Sequence, residues 1–278
     1  MLLHLDKQFS PYKGERIEYE LFRFAGGEPH IKILTKIDAS TPVMITSRIK
    51  DFRDIGDLLT AVDALKNMGI NNISLTIPYF PGARQDRINA TGEALTIKVY
   101  TDLINSLQLN KVIIFDPHSD VTPALLNNCH MINNHEFVKK ITQKLSSNLK
   151  LISPDGGALK KIYKLASYLK HYDVVECSKT RDTTTGQLSG FRVYTKDLNQ
   201  QDCVIVDDIC DGGGTFIGLA KELKKKNAGK LYLIVSHGIF SKGLDELKKQ
   251  FEHIYTTDSF KTNEPDDQLT EINLSTIL

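Results

Sequence analysis

The segment Val204-Ile205-Val206-Asp207-Asp208-Ile209-Cys210-Asp211-Gly212-Gly213-Gly214-Thr215 joins an apolar run to two adjacent carboxylates, a third nearby carboxylate and three consecutive glycines. Glycines let backbone N–H groups approach an anion, and a helix opening there adds the positive end of its dipole. A phosphate suits that loop, and adjacent carboxylates suit the paired hydroxyls of a sugar. The plainer alternative is a helix N-cap beside a flexible turn. No strand end carries a Gly-x-Gly-x-x-Gly dinucleotide fingerprint or a Gly-x-x-x-x-Gly-Lys-Ser/Thr phosphate loop.

The elements that must position these groups alternate between β-branched runs and helical periods. Val43–Thr46, Ile73–Ile77, Val112–Phe115, Leu151–Ser153, Val174–Val175, Val204–Val206 and Leu231–Val235 read as strands. Ile55, Leu58, Leu59, Val62 and Leu65 predict a helix with Asp54 as its N-cap and Gly69 as its stop. Further helices are predicted from about Leu95 to Leu107, from Leu159 through Leu169, and from Phe216 to near Gly229. Continuous apolar strands separated by helices point to parallel sheets covered on both faces. The polar stretch from Gln143 to Asn148 divides the chain into two α/β domains, 1–147 and 148–278. In such sheets ligands bind beyond the carboxyl ends of the strands.

Composition narrows the function classes. With 35 Lys+Arg against 34 Asp+Glu, the net charge of +1 argues against a duplex-binding protein, and no nucleic-acid partner is expected. No apolar run approaches the ~20 residues of a membrane span. The start, Met1 to Lys7, does not read as a signal peptide. Cys129, Cys177, Cys203 and Cys210 lie far apart, as reduced thiols of a cytoplasmic protein would.

The hydrophobic–Asp-Asp–x-x–Asp–x-Gly-Gly-Thr pattern resembles the ribose-phosphate loop shared by phosphoribosyltransferases and phosphoribosyl-diphosphate (PRPP) synthetases. Other blocks decide between the two. Ile77-Pro78-Tyr79-Phe80-Pro81-Gly82-Ala83-Arg84-Gln85-Asp86-Arg87 is very similar to the synthetases' Pro-Tyr-Phe-x-x-Ala-Arg-Gln-Asp-Arg. Asp116-Pro117-His118 stands where they have Asp-Leu-His, and Ser153-Pro154-Asp155-Gly156-Gly157 resembles their Ser-Pro-Asp loop. Lys179-Thr180-Arg181 looks like their catalytic Lys-x-Arg, and Phe24-Ala25-Gly26-Gly27-Glu28 resembles their Phe-x-x-Gly-Glu. The blocks follow family order, so the chain resembles PRPP synthetases over most of its length.

That resemblance implies two tandem phosphoribosyltransferase-like domains, each a mostly parallel sheet flanked by helices. It implies transfer of the β,γ-diphosphoryl group of ATP to the anomeric hydroxyl of ribose 5-phosphate, with Mg²⁺. Lys179 and Arg181, placed just after a strand and before the Thr/Gly-rich stretch Thr183–Gly186, would stabilise transition-state charge. Arg84, Gln85, Asp86 and His118 would contact ATP, and Phe24 and Glu28 would hold adenine, reaching over from a neighbouring subunit. His118 and Asp155 would be metal ligands; magnesium prefers oxygen, so the imidazole would act partly through water or nucleotide phosphate. Asp207 and Asp208 would bind ribose hydroxyls, with Asp211, Gly212, Gly213, Gly214 and Thr215 around the 5-phosphate. Asp155, Gly156 and Gly157 would form the diphosphate loop.

Two departures bear on the reading. Gly212 stands where the family has Thr, removing a hydroxyl donor and side-chain volume, and Gly82 replaces a larger residue. An acceptor extended beyond its 5-phosphate, such as ADP-ribose, is therefore an alternative to ribose 5-phosphate. The chain also stops near where family members enter a further helix, and it matches poorly around Arg48 to Arg53, so a homodimer is expected before a larger homo-oligomer. A phosphoribosyltransferase would have no use for Arg84–Arg87, and an inactive regulatory homologue would have lost catalytic elements retained here.

Overall fold

The structure, a computed structural model, describes residues 1–146, 148–170, 173–181 and 188–278. The first half runs β1 (Leu2–His4), β2 (Tyr19–Arg23), β3 (Pro29–Ile33), β4 (Val43–Thr46), α1 (Phe52–Asn67), β5 (Ile73–Ile77), α2 (Thr96–Ser106), β6 (Lys111–Phe115), α3 (Val121–Leu125), β7 (Cys129–Ile132) and α4 (His135–Thr142). A five-stranded parallel sheet has the order β1-β4-β5-β6-β7, and β2 with β3 forms a separate antiparallel hairpin. The second half runs β8 (Lys150–Ser153), α5 (Leu159–Leu169), β9 (Asp173–Arg181), β10 (Leu188–Val193), β11 (Cys203–Cys210), α6 (Gly214–Lys225), β12 (Leu231–Gly238), α7 (Asp245–Lys248), β13 (His253–Thr257) and β14 (Leu269–Ile272). Its sheet has the order β10-β9-β8-β11-β12-β13-β14, parallel except for β10.

Alternation along the central strands explains why they are apolar throughout. Cys203 and Ile205 of β11, with Leu231, Leu233 and Val235 of β12, face one core with Phe216, Leu219, Ala220 and Leu223 of α6. Val204, Val206, Tyr232 and Ile234 face the other, against Phe137, Val138 and Ile141 of α4 and Ile162 and Leu165 of α5. Successive strand residues point to opposite faces, so a sheet covered on both sides needs no polar alternation. Phe9 and Phe115 of the first half enter this second core, so the two halves are packed together through buried apolar surface. Arg48, buried, adds a polar tie: its Nη1 donates to the Asp258 carbonyl and to Thr262 Oγ1, each at 3.1 Å.

Some local expectations shift. The first long helix begins earlier than expected: Asp51 is the N-cap, and Asp54 completes a capping box by accepting from the Asp51 N–H. Strand β11 continues through Asp207 and Asp208 to Cys210 rather than ending at the acids, because β12 pairs with it along that whole length. Lys179 and Arg181 lie within β9, not after it, since β10 folds back antiparallel and prolongs the strand. The Thr/Gly-rich stretch Thr183–Gly186 and the side chain of Arg181 lie outside the described residues. Among the described residues all four cysteines are free, and burial pushes the thiols of Cys177, Cys203 and Cys210 up to about 12. No helix among these residues is long and apolar enough to cross a membrane.

Candidate active site

Strand order reverses in the second sheet between β8 and β11, which leads one connection to each side of a crevice. The segment after β8 carries Asp155 and Gly157 into that crevice, and the end of β11 carries Asp207, Asp208 and the glycine loop. The loops after β5 and β6 of the first sheet close it from above with Arg84, Asp86, Arg87, His118 and Ser119. The resulting cleft has a volume of about 660 Å³, within the range of small-molecule sites.

Contacts across the cleft pair residues that are distant in sequence. His118 Nδ1 lies 2.7 Å from Asp208 Oδ2, and Arg84 Nη1 donates to Asp211 Oδ2 at 2.8 Å. Lys179 Nζ is 2.7 Å from Asp155 Oδ2 and 3.4 Å from Thr215 Oγ1. The Asp155 carboxylate also accepts from the Ala158 N–H at 3.0 Å, which orients it. Helix α6 starts at Gly214, and its N-cap Gly213 has φ +75°, a left-handed conformation that favours glycine. A Cβ at Gly213 would also come within 3.1 Å of Leu247.

The adjacent acids are driven apart electrostatically. Burial and the neighbouring Asp208 charge push Asp207 well above the usual carboxylate range. Burial alone would raise Asp208 too, but His118 and Lys161 hold it well below that range. The bond to Asp208 in turn raises His118. The site thus combines one strongly anionic carboxylate with one that retains a proton more readily. Burial would raise Asp86, yet the bond from Arg87 and that from Ser119 keep it low. Asp211 is held low chiefly by a bond from Ser241, assisted by Arg84.

Most of the expected residues meet here: Arg84, Asp86, His118, Asp155, Gly157, Lys179, Asp207, Asp208, Asp211, Gly212, Gly213, Gly214 and Thr215 all line the cleft. Gln85 and Gly156 are exposed neighbours of lining residues and do not line it themselves. Phe24 and Glu28 are not brought in. They sit at the exposed turn of the β2–β3 hairpin, where Phe24 is 54% accessible and packs edge-on against Phe22 at 5.1 Å.

Several contributors escape a reading by motif. Lys161 on α5 donates to the Pro117 carbonyl at 2.6 Å and faces Asp116 at 3.5 Å. Burial pulls its pKa down, but the carboxylates of Asp116, Asp208 and Asp207 outweigh that and raise it. Buried Asp116 accepts from Ser236 Oγ at 2.5 Å and from Asn134 Nδ2 at 3.0 Å, fixing the strand end that carries His118. Lys160, Lys164 and Lys242 also line the cleft. The signal for the α5 lysines was present, a basic face at helical spacing directly after the Asp155 loop, but a charge run on a helix reads first as a solvated face.

The departure at Gly82 has a local explanation. Its φ is +72°, and a Cβ would meet Thr96 at 3.0 Å and Tyr100 at 3.1 Å. The turn and the close approach of α2 require glycine there.

Among the described residues no three His, Cys, Asp or Glu side chains form a ready-made metal cage. Asp155 and His118 nevertheless suit a magnesium ion that arrives on nucleotide phosphates, since Mg²⁺ keeps several waters and uses one or two protein carboxylates plus phosphate.

Comparison with known proteins matches residues 10–107 to the N-terminal domain of ribose phosphate pyrophosphokinase and residues 128–269 to the phosphoribosyl transferase domain. The chain is 26% identical to the ribose-phosphate pyrophosphokinase of Pyrococcus abyssi over 268 residues, 93% of this chain and 90% of that one. It is 30% identical to that of Ureaplasma parvum over 231 residues, 79% and 67% of the respective chains. The crystal structure of phosphoribosylpyrophosphate synthetase from Mycobacterium smegmatis superposes with a TM-score of 0.85 at 19% identity, covering 100% of this chain and 95% of that one, which shows a common fold.

Proposed function

The chain belongs to the ribose-phosphate pyrophosphokinase family, and from that premise we propose that it moves the β,γ-diphosphoryl group of ATP onto the anomeric hydroxyl of ribose 5-phosphate, giving PRPP and AMP. The observation that carries this reading is the cleft itself: a glycine loop with an acid pair on one sheet faces Arg84 and His118 of the other at hydrogen-bonding distance. Residues 1–147 supply mainly ATP contacts, and residues 148–278 the acceptor site.

The acceptor's 5-phosphate sits over the N-terminus of α6, on backbone N–H groups and Thr215. Asp208, kept anionic by His118, accepts a ribose hydroxyl; Asp207, which holds a proton more readily, exchanges hydrogen bonds with the neighbouring one. Arg84 binds ATP phosphate by charge-assisted bonds, exchanging Asp211 for the nucleotide. Lys179, between Asp155 and Thr215, and Arg181 on the same strand meet the charge of the group in flight. Diphosphoryl transfer needs little covalent help, so positioning and cations provide most of the catalysis. Bound Mg²⁺ would supply charge neutralisation of the triphosphate, with Asp155 and His118 as its protein contacts. Phe24 and Glu28 hold adenine in a neighbouring subunit's cleft, which makes the working form a homodimer or larger.

The ADP-ribose alternative loses one of its supports, since Gly82 is explained by its turn. Incubation of the purified protein with ATP, Mg²⁺ and each acceptor separately tests the proposal. AMP and PRPP in equal amounts with ribose 5-phosphate are expected; AMP release with ADP-ribose alone overturns the acceptor.

A further inference from the structure

The ribose-phosphate loop offers little from its own side chains. Gly212, Gly213 and Gly214 contribute only backbone, and Thr215 the one hydroxyl among them. Yet the space over Gly212 is not open. A Cβ built there would meet Lys242 Cδ at 3.3 Å, Cε at 3.4 Å and Cγ at 3.6 Å, so the aliphatic stem of Lys242 lies across the glycine.

That placement is built into the fold. The turn after β12 is pinned to the end of β11, where the Cys210 carbonyl accepts from both the Ile239 N–H at 2.9 Å and the Phe240 N–H at 3.1 Å. Phe240 is buried, Lys261 Nζ donates to the Ile239 carbonyl at 2.8 Å, and Leu247 closes over Gly213. The same turn brings Ser241 to Asp211. Lys242 therefore leaves a fixed backbone and runs along the loop into the cleft it lines.

The other cations here are largely committed. Arg84 is paired with Asp211, Lys160 with Asp120, Lys161 with Asp116 and Lys179 with Asp155. Among the described residues neither Lys164 nor Lys242 has a carboxylate within ion-pair distance; Lys242, which helps hold the carboxyl of Asp211 low, is the lysine whose stem lies over Gly212. We infer that Lys242 is the specificity-determining cation of the acceptor subsite, binding a phosphate carried on the 5-carbon of the ribose, and that Gly212 is small so that this side chain can reach it. The inference rests on the proposed phosphorylated-ribose acceptor. A phosphate monoester and the diphosphate of a 5-extended ribose share the chemistry, and the test separates them.

Steady-state kinetics and calorimetry on the full chain decide the matter, with Lys242→Ala, Lys242→Arg, Gly212→Thr and the Gly212→Thr/Lys242→Ala double variant. Loss of a charged hydrogen-bonding partner should raise KM for the acceptor at least ~10-fold. KM for ATP should move less than about twofold, and Lys242→Arg should retain most of the affinity. Gly212→Thr alone should also weaken the acceptor by displacing the lysine stem, whereas the double variant should recover part of the loss, because the new hydroxyl then occupies the vacated place. That non-additivity marks a shared site. Losses with both ribose 5-phosphate and ADP-ribose place the ammonium on the inner phosphate; a loss with ADP-ribose alone places it on the outer one. An acceptor KM unchanged in Lys242→Ala overturns the inference. If the wild-type protein turns over neither acceptor, the catalytic reading fails separately, and calorimetric affinities for the two compounds still decide Lys242: equal values in wild type and Lys242→Ala sink it.

Discussion

The glycine loop after β11 and the Phe24–Glu28 turn are both assigned to substrates, and they are built in opposite ways. The loop grows out of a strand buried in the sheet, opens a helix, and is covered by Leu247 and the Lys242 stem. Its neighbours His118, Arg84 and Lys179 are already bonded to Asp208, Asp211 and Asp155. The turn joins the two strands of the hairpin, with its aromatic rings exposed and no part in the cleft. A preorganised site spends little of its binding energy on ordering. Under the proposed function, one chain thus carries a finished acceptor side and leaves the adenine side to be completed by a second copy.

The largest expected effect falls on the finished side. Lys179→Ala should lower turnover by ~10²–10³-fold, the scale for removing one preorganised charge stabiliser, while calorimetric ATP affinity changes less than about threefold. Unchanged turnover would detach Lys179 from the chemistry.

The next effect probes the unfinished side. Phe24→Ala should raise KM for ATP roughly 10-fold through lost stacking on the base. On the proposal that the hairpin serves another subunit, co-expressed mixtures of Phe24→Ala and Lys179→Ala chains should regain activity, since a site with an intact Lys179 then receives an intact Phe24. Mixtures no more active than the sum of the two parents would place the hairpin's action within its own chain and erase the contrast.

The smallest effect sharpens the electrostatics of the loop wall. In nucleotide-free protein the His118 ring should titrate above the ordinary 6.5, and Asp208→Asn should bring it back towards that value, as read by NMR. The raised imidazole value means that its stabilisation is complete below pH 6.5 and fades as pH rises through the folded value. Asp208, depressed, contributes above 3.8 and loses its share as pH falls through its folded value. The pair is thus most stabilising between those limits. A His118 titration unaffected by Asp208→Asn would show that the 2.7 Å contact does not govern the ring.

Much of the fold was legible in the sequence because its signals are local. The apolar runs at Val43–Thr46, Ile73–Ile77 and Val204–Val206 are strands, and the period from Leu159 to Leu169 is a helix. Errors fell at ends, where neighbours decide. Asp54 looked like a cap until Asp51 took that place, and β9 reached Arg181 only because β10 returned beside it. The motif residues were legible for the same reason, each cluster being a short stretch after a strand. Lys161 and Lys242 were not, because neither lies in such a cluster; each reaches the cleft from a different element.

By itself, the order of residues determined the elements, the acid pair and the glycine loop, since propensity, periodicity and side-chain chemistry act within a few positions. Tertiary structure alone decided that His118 meets Asp208 across 90 residues and Arg84 meets Asp211 across 127, and that a lysine stem fills the place above Gly212. Those pairings depend on strand order and on how the two sheets share a core, and hydrophobic patterning specifies which faces are buried without specifying which buried faces meet.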